Sequence, residues 1–289
     1  MKMTNKIGVI VDSFRVGVRQ GLLKAKEVGA EGVQLYAVHG ELDPAVLSAA
    51  QRKEWKSYID SLGLEISAIV GDLGGHGFQD KLANPQKIEK SKRILDLALE
   101  LGTNVVTTHI GVVPTDPNGE LYETLQLACE ELADYAHRMN AFFAIETGPE
   151  TCAHLKRFLD GLGSKGVSVN FDPANLVMVT GDDPVQGVYT LRDYIVHTHV
   201  KDGIQIRKID PRLLYKSLEC EQLDGDAYNE LWSAIKEVPL GEGSVNWERY
   251  LEALADVGYS GYLTIEREVG DRPETDISRA VQFLNRFRW

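Results

Sequence analysis

Cysteine is scarce in this chain of 289 residues, and the three present, Cys129, Cys152 and Cys220, show no CxxC spacing. An odd set without that spacing excludes a disulfide framework and a thiolate metal site, and it fits a reducing, cytoplasmic setting. Positive charge is also short, with 31 Lys and Arg against 43 Asp and Glu and a net charge of −12. That balance argues against the basic face a nucleic-acid partner needs, and it gives no long-range pull on phosphorylated substrates. The opening stretch MKMTNKIGVIVDSF has too short an apolar run for a signal-peptide core and far too short a one for a membrane span, so no membrane partner is expected. There is no GxGxxG after the first apolar run, no P-loop and no GxSxG. A dinucleotide-binding half, a phosphate loop and a serine nucleophile elbow lose their sequence support accordingly.

Hydrophobic residues make up 43% of the chain, enough for a full core. They fall into eight short runs rich in Val, Ile, Phe and Tyr: KIGVIVDSF, GVQLYAV, EISAIVGDL, NVVTTHIGV, FFAIET, VSVNFDP, IVHTHVK and GYLTIERE. Between them lie segments with apolar spacing near 3.6, such as KIEKSKRILDLALELG and TLQLACEELADYAHRMN, which predict helices. Gly29, Gly63, Gly102 and Gly258 stand where helix C-caps are expected, and Pro44 and Pro85 near the starts of the second and third helices. Eight strand–helix units in a chain of this length predict an α/β fold, a closed (β/α)8 TIM barrel filling residues 1–289 as one domain. The stretch 203–243 after the seventh strand is too long for a simple strand-to-helix loop. It reads as an insertion that covers the site, a lid, with a short helix near AYNELWSAI.

Four residues with metal-ligand chemistry follow these runs in register: Glu146 in FFAIETG, Asp172 in VSVNFDPAN, His199 in IVHTHVKDG and Glu266 in YLTIERE. Each carboxylate alone reads as a solvated loop residue. Together, at the C-terminal ends of barrel strands, they predict a metal centre, because buried carboxylates held close repel one another without a cation. Three oxygen donors and one imidazole suit Mn²⁺, Mg²⁺ or Co²⁺ better than a thiolate-type zinc site. Around them, His76 in the Gly-rich loop GDLGGHGF, His109 in TTHIGVVP, and Lys201 and Arg267, next to two of the ligands, are candidate substrate contacts. His197 and Asp202 are candidates for supporting the ligands from behind.

At these residues the chain resembles the sugar phosphate isomerase/epimerase family with the xylose isomerase-like barrel, a superfamily that includes ketose 3-epimerases, inosose dehydratases, hydroxypyruvate isomerase and endonuclease IV. TTHIGVVP, AIETGPET, VNFDPANL, HTHVKDG, PLGEGSVNW and GYLTIERE carry the likeness, in order, over essentially the whole chain. It implies one divalent metal ion, Mn²⁺ first with Mg²⁺, Co²⁺ or Zn²⁺ as alternatives, held by Glu146, Asp172, His199 and Glu266. It also implies that Glu146 and Glu266 move the proton. Three substrate contacts of the 3-epimerases are replaced: a histidine by Asn175, which stays a candidate substrate contact, a glutamate by Cys152 and an arginine by Gln205. The histidine-rich, multi-zinc site of endonuclease IV is missing.

The expectation is therefore a metal-dependent isomerase or epimerase of a small sugar, sugar phosphate or keto-polyol, working through an enediolate. The alternatives are a metal-dependent dehydratase or lyase on a keto-cyclitol or 3-keto sugar, and a non-catalytic carbohydrate-binding barrel. The expected partner is a small carbohydrate, and the exposed helices leave room for a homo-oligomer.

Overall fold

The computed structural model describes residues 3–214 and 225–288. Parallel strands β1 (Ile7–Ile10), β2 (Gly32–Tyr36), β3 (Glu65–Val70), β4 (Val105–Thr108), β5 (Phe142–Glu146), β6 (Val167–Phe171) and β7 (Ile195–Val200) close with the final strand β10 (Leu263–Ile265) into a barrel. β10 pairs with β7 on one side and with β1 on the other, Leu263 lying opposite both Thr198 and Ile7. All eight runs read from the sequence become barrel strands. They are buried almost end to end, as strands covered on both faces must be.

Helices α1 (Val18–Glu27), α2 (Ala49–Ser61), α3 (Asn84–Leu101), α4 (Glu120–Arg138), α5 (Cys152–Asp160) and α6 (Pro184–Leu191) follow the first six strands. On α4 the buried side chains Leu125, Ala128, Cys129, Leu132, Ala133 and Ala136 recur at three- and four-residue spacing, forming one apolar stripe against the sheet. Leu125 and Leu132 are fully buried, and each such burial contributes roughly 1.5–3 kcal/mol. Pro85 sits in the first turn of α3, and Gly102 ends that helix at φ 95°, in the left-handed region that glycine tolerates. Pro44 does not start α2. Ser48 does, in a capping box with Gln51, because Ser at the N-cap accepts the backbone N–H that proline would leave unanswered.

After β7 the chain enters β8 (Asp202–Gln205), which pairs antiparallel with β9 (Ile235–Val238) in a small separate sheet. Helix α7 (Gly225–Trp232) precedes β9, and α8 (Trp247–Asp256) and α9 (Pro273–Asn285) complete the outer layer. The excursion expected over 203–243 thus carries β8, α7 and β9. Its residues 215–224, Cys220 among them, lie outside the described residues.

Asp202 was expected to support the metal ligands, and the structure gives it another task. Its two carboxylate oxygens accept hydrogen bonds from the backbone N–H groups of Gly203, Gly241, Gly243 and Val245 and from Trp247 Nε1. It ties the chain returning from β9 to the end of β7. A side chain at Gly243 would place a Cβ 2.0 Å from Asp202 Oδ1, which explains the glycine of PLGEGSVNW.

Candidate active site

Glu146 is the last residue of β5, Asp172 follows β6, His199 is the penultimate residue of β7, and Glu266 follows β10. These strands are neighbours in the barrel wall. Because each side chain leaves its strand at the same end, the four meet. One donor atom from each lies within 4.8 Å of the others, and all four residues are buried. His199 Nδ1 stands 3.2 Å from Glu146 Oε2, 3.4 Å from Glu266 Oε2 and 3.9 Å from Asp172 Oδ2.

Neighbouring side chains fix how each donor points. Gln34, in the middle of β2, donates through Nε2 to Thr107 Oγ1, so its Oε1 faces the histidines. That oxygen lies 3.0 Å from His197 Nε2 and 3.1 Å from His199 Nε2. A carbonyl oxygen only accepts, so this contact favours an N–H at Nε2 on both rings, and His199 Nδ1 is directed at the carboxylates. His197 is packed and fully buried, and burial with the nearby His199 charge lowers its pKa well below the ordinary value. It supports the site through Gln34.

Asp172 caps the short helical turn Pro173–Asn175. Its Oδ1 accepts from the N–H groups of Ala174 and Asn175, which leaves Oδ2 for the cluster. Asn175 donates through Nδ2 to Glu146 Oε1 at 2.8 Å, and Asn170 donates to Glu146 Oε2 at 3.1 Å. Lys201 is buried among the carboxylates, its Nζ 2.6 Å from Glu266 Oε2, 3.2 Å from Asp172 Oδ2 and 2.9 Å from Glu268 Oε2.

These surroundings set the charges. Burial opposes ionisation of Glu266, but Lys201 and His199 outweigh it and hold the carboxyl well below its usual range. Burial dominates at Asp172 and pushes it up to about 7 despite Lys201. Burial also opposes charge on His199, yet Glu266 and Glu146 raise its pKa well above the ordinary value. Among the described residues, Asp172 Oδ2 and Glu266 Oε2 are buried and accept no well-formed hydrogen bond, with the Lys201 ammonium and His199 Nδ1 at ion-pair distance. Three hard oxygen donors and one imidazole nitrogen, gathered where buried carboxylates repel one another, suit a divalent cation of the oxygen-preferring kind.

The cluster opens into a cavity of about 980 Å³ whose lining includes Glu146, His199, Glu266, Lys201, His109, Asn175 and Arg267. His109 stands on its wall with Nδ1 2.9 Å from Asp72 Oδ2 and Nε2 3.9 Å from Glu146 Oε1. Burial works against its charge, but Glu146 and Asp72 raise its pKa to about 10.

One proposed contact is already paired, and another lies outside the lining. Arg267 borders the cavity, but its guanidinium is engaged with Glu237 of β9 and Asp276 of α9, a pair of half-buried carboxylates that latch the insertion to the barrel. His76 is exposed, and it is its neighbours Gly74, Gly75 and Gly77 that line the cavity. Cys152 is buried at the start of α5. Gln205 spends its amide on the carbonyls of Met178 and Val179.

Sequence reasoning passed over Gln34, Asp72, Asn170 and Glu150. A signal existed for the first three: polar residues inside or just after strongly apolar strand runs rarely stay buried without a task. Glu150 is buried on the cavity wall and accepts the Val113 N–H.

Burial pushes the Glu150 carboxyl up to about 8. A raised folded-state value means that the native protein holds this proton more tightly than the unfolded chain. Its contribution is therefore present below about pH 4.5 and is lost as pH rises to about 8. Glu150→Gln is expected to match the wild-type Tm near pH 5 and to exceed it by several degrees at pH 9. Parallel Tm curves for the two proteins across that range would refute the assignment.

A family model described as xylose isomerase-like TIM barrel matches residues 22–287. Inosose dehydratase of Lacticaseibacillus casei is 26% identical over 151 residues, 51% of this chain and 47% of that protein. The chain thus spans about half the length of the curated relatives it matches. A xylose isomerase domain protein from Planctomyces limnophilus superposes with a TM-score of 0.78 at 25% identity, covering 99% of this chain and 98% of that one. A D-tagatose 3-epimerase-like protein gives 0.72 at 18% identity over 98% and 96%, a likeness of fold.

Proposed function

The chain belongs to the xylose isomerase-like TIM-barrel family, and from that premise we propose that it is a metal-dependent isomerase or epimerase of a small carbohydrate that works by glutamate-mediated proton transfer. The reading rests on one observation above all. Two glutamates, Glu146 and Glu266, come from different strands into one cavity and flank the same imidazole nitrogen.

Glu146, Asp172, His199 and Glu266 would hold the ion, Mn²⁺ foremost, with Mg²⁺, Co²⁺ or Zn²⁺ as alternatives. When bound, it supplies Lewis acidity that lowers the cost of an enediolate charge. The protein's own groups move the proton. One glutamate removes the hydrogen next to the substrate carbonyl, and the other returns a proton to the opposite face. Asn175 fixes Glu146, and Lys201 keeps Glu266 ionised, the form that can accept a proton.

A second reading, a dehydratase or lyase, is favoured by the His109–Asp72 pair beside Glu146. A positioned imidazole there suits protonation of a departing oxygen after the same first step. The relatives from Lacticaseibacillus casei, described as inosose dehydratases, fit that variant.

The test is incubation of Mn²⁺-loaded protein in D₂O with ketoses, ketose phosphates and keto-inositols, with deuterium read by mass spectrometry. Deuterium entering one carbon of a substrate is the expected result. Loss of water or of an aglycone from the product separates elimination from epimerisation. No exchange in any compound, with the metal confirmed bound, would remove the proton-transfer reading.

A further inference from the structure

The cavity is larger, and on one side more apolar, than proton transfer on a lone sugar requires. At about 980 Å³ it stands at the top of the roughly 300–1,000 Å³ range of sites that enclose drug-sized ligands. Its titratable groups gather at the strand ends, where Glu146, His199, Lys201 and Glu266 lie. Another part of its lining comes from outside the barrel sheet: Met178 and Val179 beyond β6, and Leu214, Tyr228, Trp232 and Ile235 from the insertion.

Two polar groups near this second wall are already engaged. Gln205 Nε2 donates to the carbonyls of Met178 and Val179, and Glu237 is held by Arg267. Tyr228 and Trp232, one helical turn apart on α7, set their rings 5.9 Å apart at an angle of 37°. Tyr228 stays 38% exposed although it lines the cavity. An apolar wall with two accessible aromatic rings, continuous with a carboxylate-lined floor, fits a molecule with one polar and one flat apolar part.

We propose that this wall is a binding site for an aromatic group attached to the carbohydrate, so that the substrate class is an aryl glycoside or its oxidised form rather than a free monosaccharide. The proposal builds on the carbohydrate reading above and adds the second half of the ligand. A second sugar fits this wall less well, because its hydroxyls would lose water without gaining partners among Met178, Val179, Leu214 and Ile235.

The experiment is titration calorimetry on the Mn²⁺-loaded full chain. The probes are 4-nitrophenyl and methyl β-D-glucopyranosides, the corresponding galactosides, and cellobiose. The nitrophenyl glycoside is expected to bind at least about tenfold more tightly than its methyl counterpart. Trp232→Ala should remove most of that difference and leave the methyl glycoside unchanged. Tyr228→Ala, at a more exposed position, is the second variant should Trp232→Ala fail to fold.

Equal affinities for aryl and methyl glycosides, no binding of either, cellobiose matching the aryl compound, or an aryl preference unchanged in both variants would each overturn the proposal. Deuterium exchange into free ketoses without an aryl preference leaves the proton-transfer reading standing and removes only this one. An aryl preference without exchange in any substrate does the reverse.

Discussion

Glu266→Gln and Glu146→Gln proteins are each expected to lose deuterium exchange by about 10²–10⁴-fold at saturating metal, the usual contribution of a positioned acid or base. Gln keeps the shape and one oxygen but cannot accept the proton. Glu146 ends β5 and Glu266 follows β10, and the pairing of these strands does not involve the carboxylates, so far-UV spectra should be unchanged. Glu146→Gln retains an oxygen for Asn175, whereas Glu266→Gln loses its ion pair with Lys201. The two variants should therefore differ in metal affinity even if they agree in lost turnover, and bound metal is to be measured in both by mass spectrometry. Near wild-type exchange in either variant would show that the base lies elsewhere.

The second large effect concerns the ion. Dialysis against EDTA is expected to abolish exchange, and added Mn²⁺ to restore it. The same addition should raise Tm, since a ligand that binds only the native state at a hundred times its Kd stabilises by about 2.7 kcal/mol. Asp172→Asn weakens the set while keeping an oxygen that can accept the N–H groups of Ala174 and Asn175, so the Mn²⁺-dependent rise should shrink. Full activity in protein shown to be metal-free, or a Tm indifferent to Mn²⁺, would count against the centre as a metal site.

The architecture was legible because its information is local. Each barrel strand is a run that only a doubly covered strand can bury, and the four cluster residues sit at one phase of that pattern. The partners of Arg267 and Asp202 were hidden for the opposite reason. These partners, Glu237 and Asp276 for one and the loop from Gly241 to Trp247 for the other, are remote in sequence and arrive only through packing. Adjacency to a ligand suggested a role at the site, yet successive residues of a strand point to opposite faces, and both side chains turn toward the outer elements. Gln34 was hidden differently. One amide inside GVQLYAV looks like an interruption of the apolar run, and its meaning appears only when β2 faces β7 across the barrel and the two histidines share its oxygen. The apolar wall could not be read from spacing, because Met178 and Trp232 come from two excursions with no common period.

The pairing of β10 between β7 and β1 bears on the order in which the protein matures. Glu146, Asp172 and His199 stand on successive strands, but Glu266 joins them only when the last strand crosses the insertion and seals the ring. Contacts of such long range form late in folding, because the loop they close must be ordered first. A nascent or partly folded chain would offer an incomplete donor set, so tight ion capture would coincide with closure and mark a finished barrel.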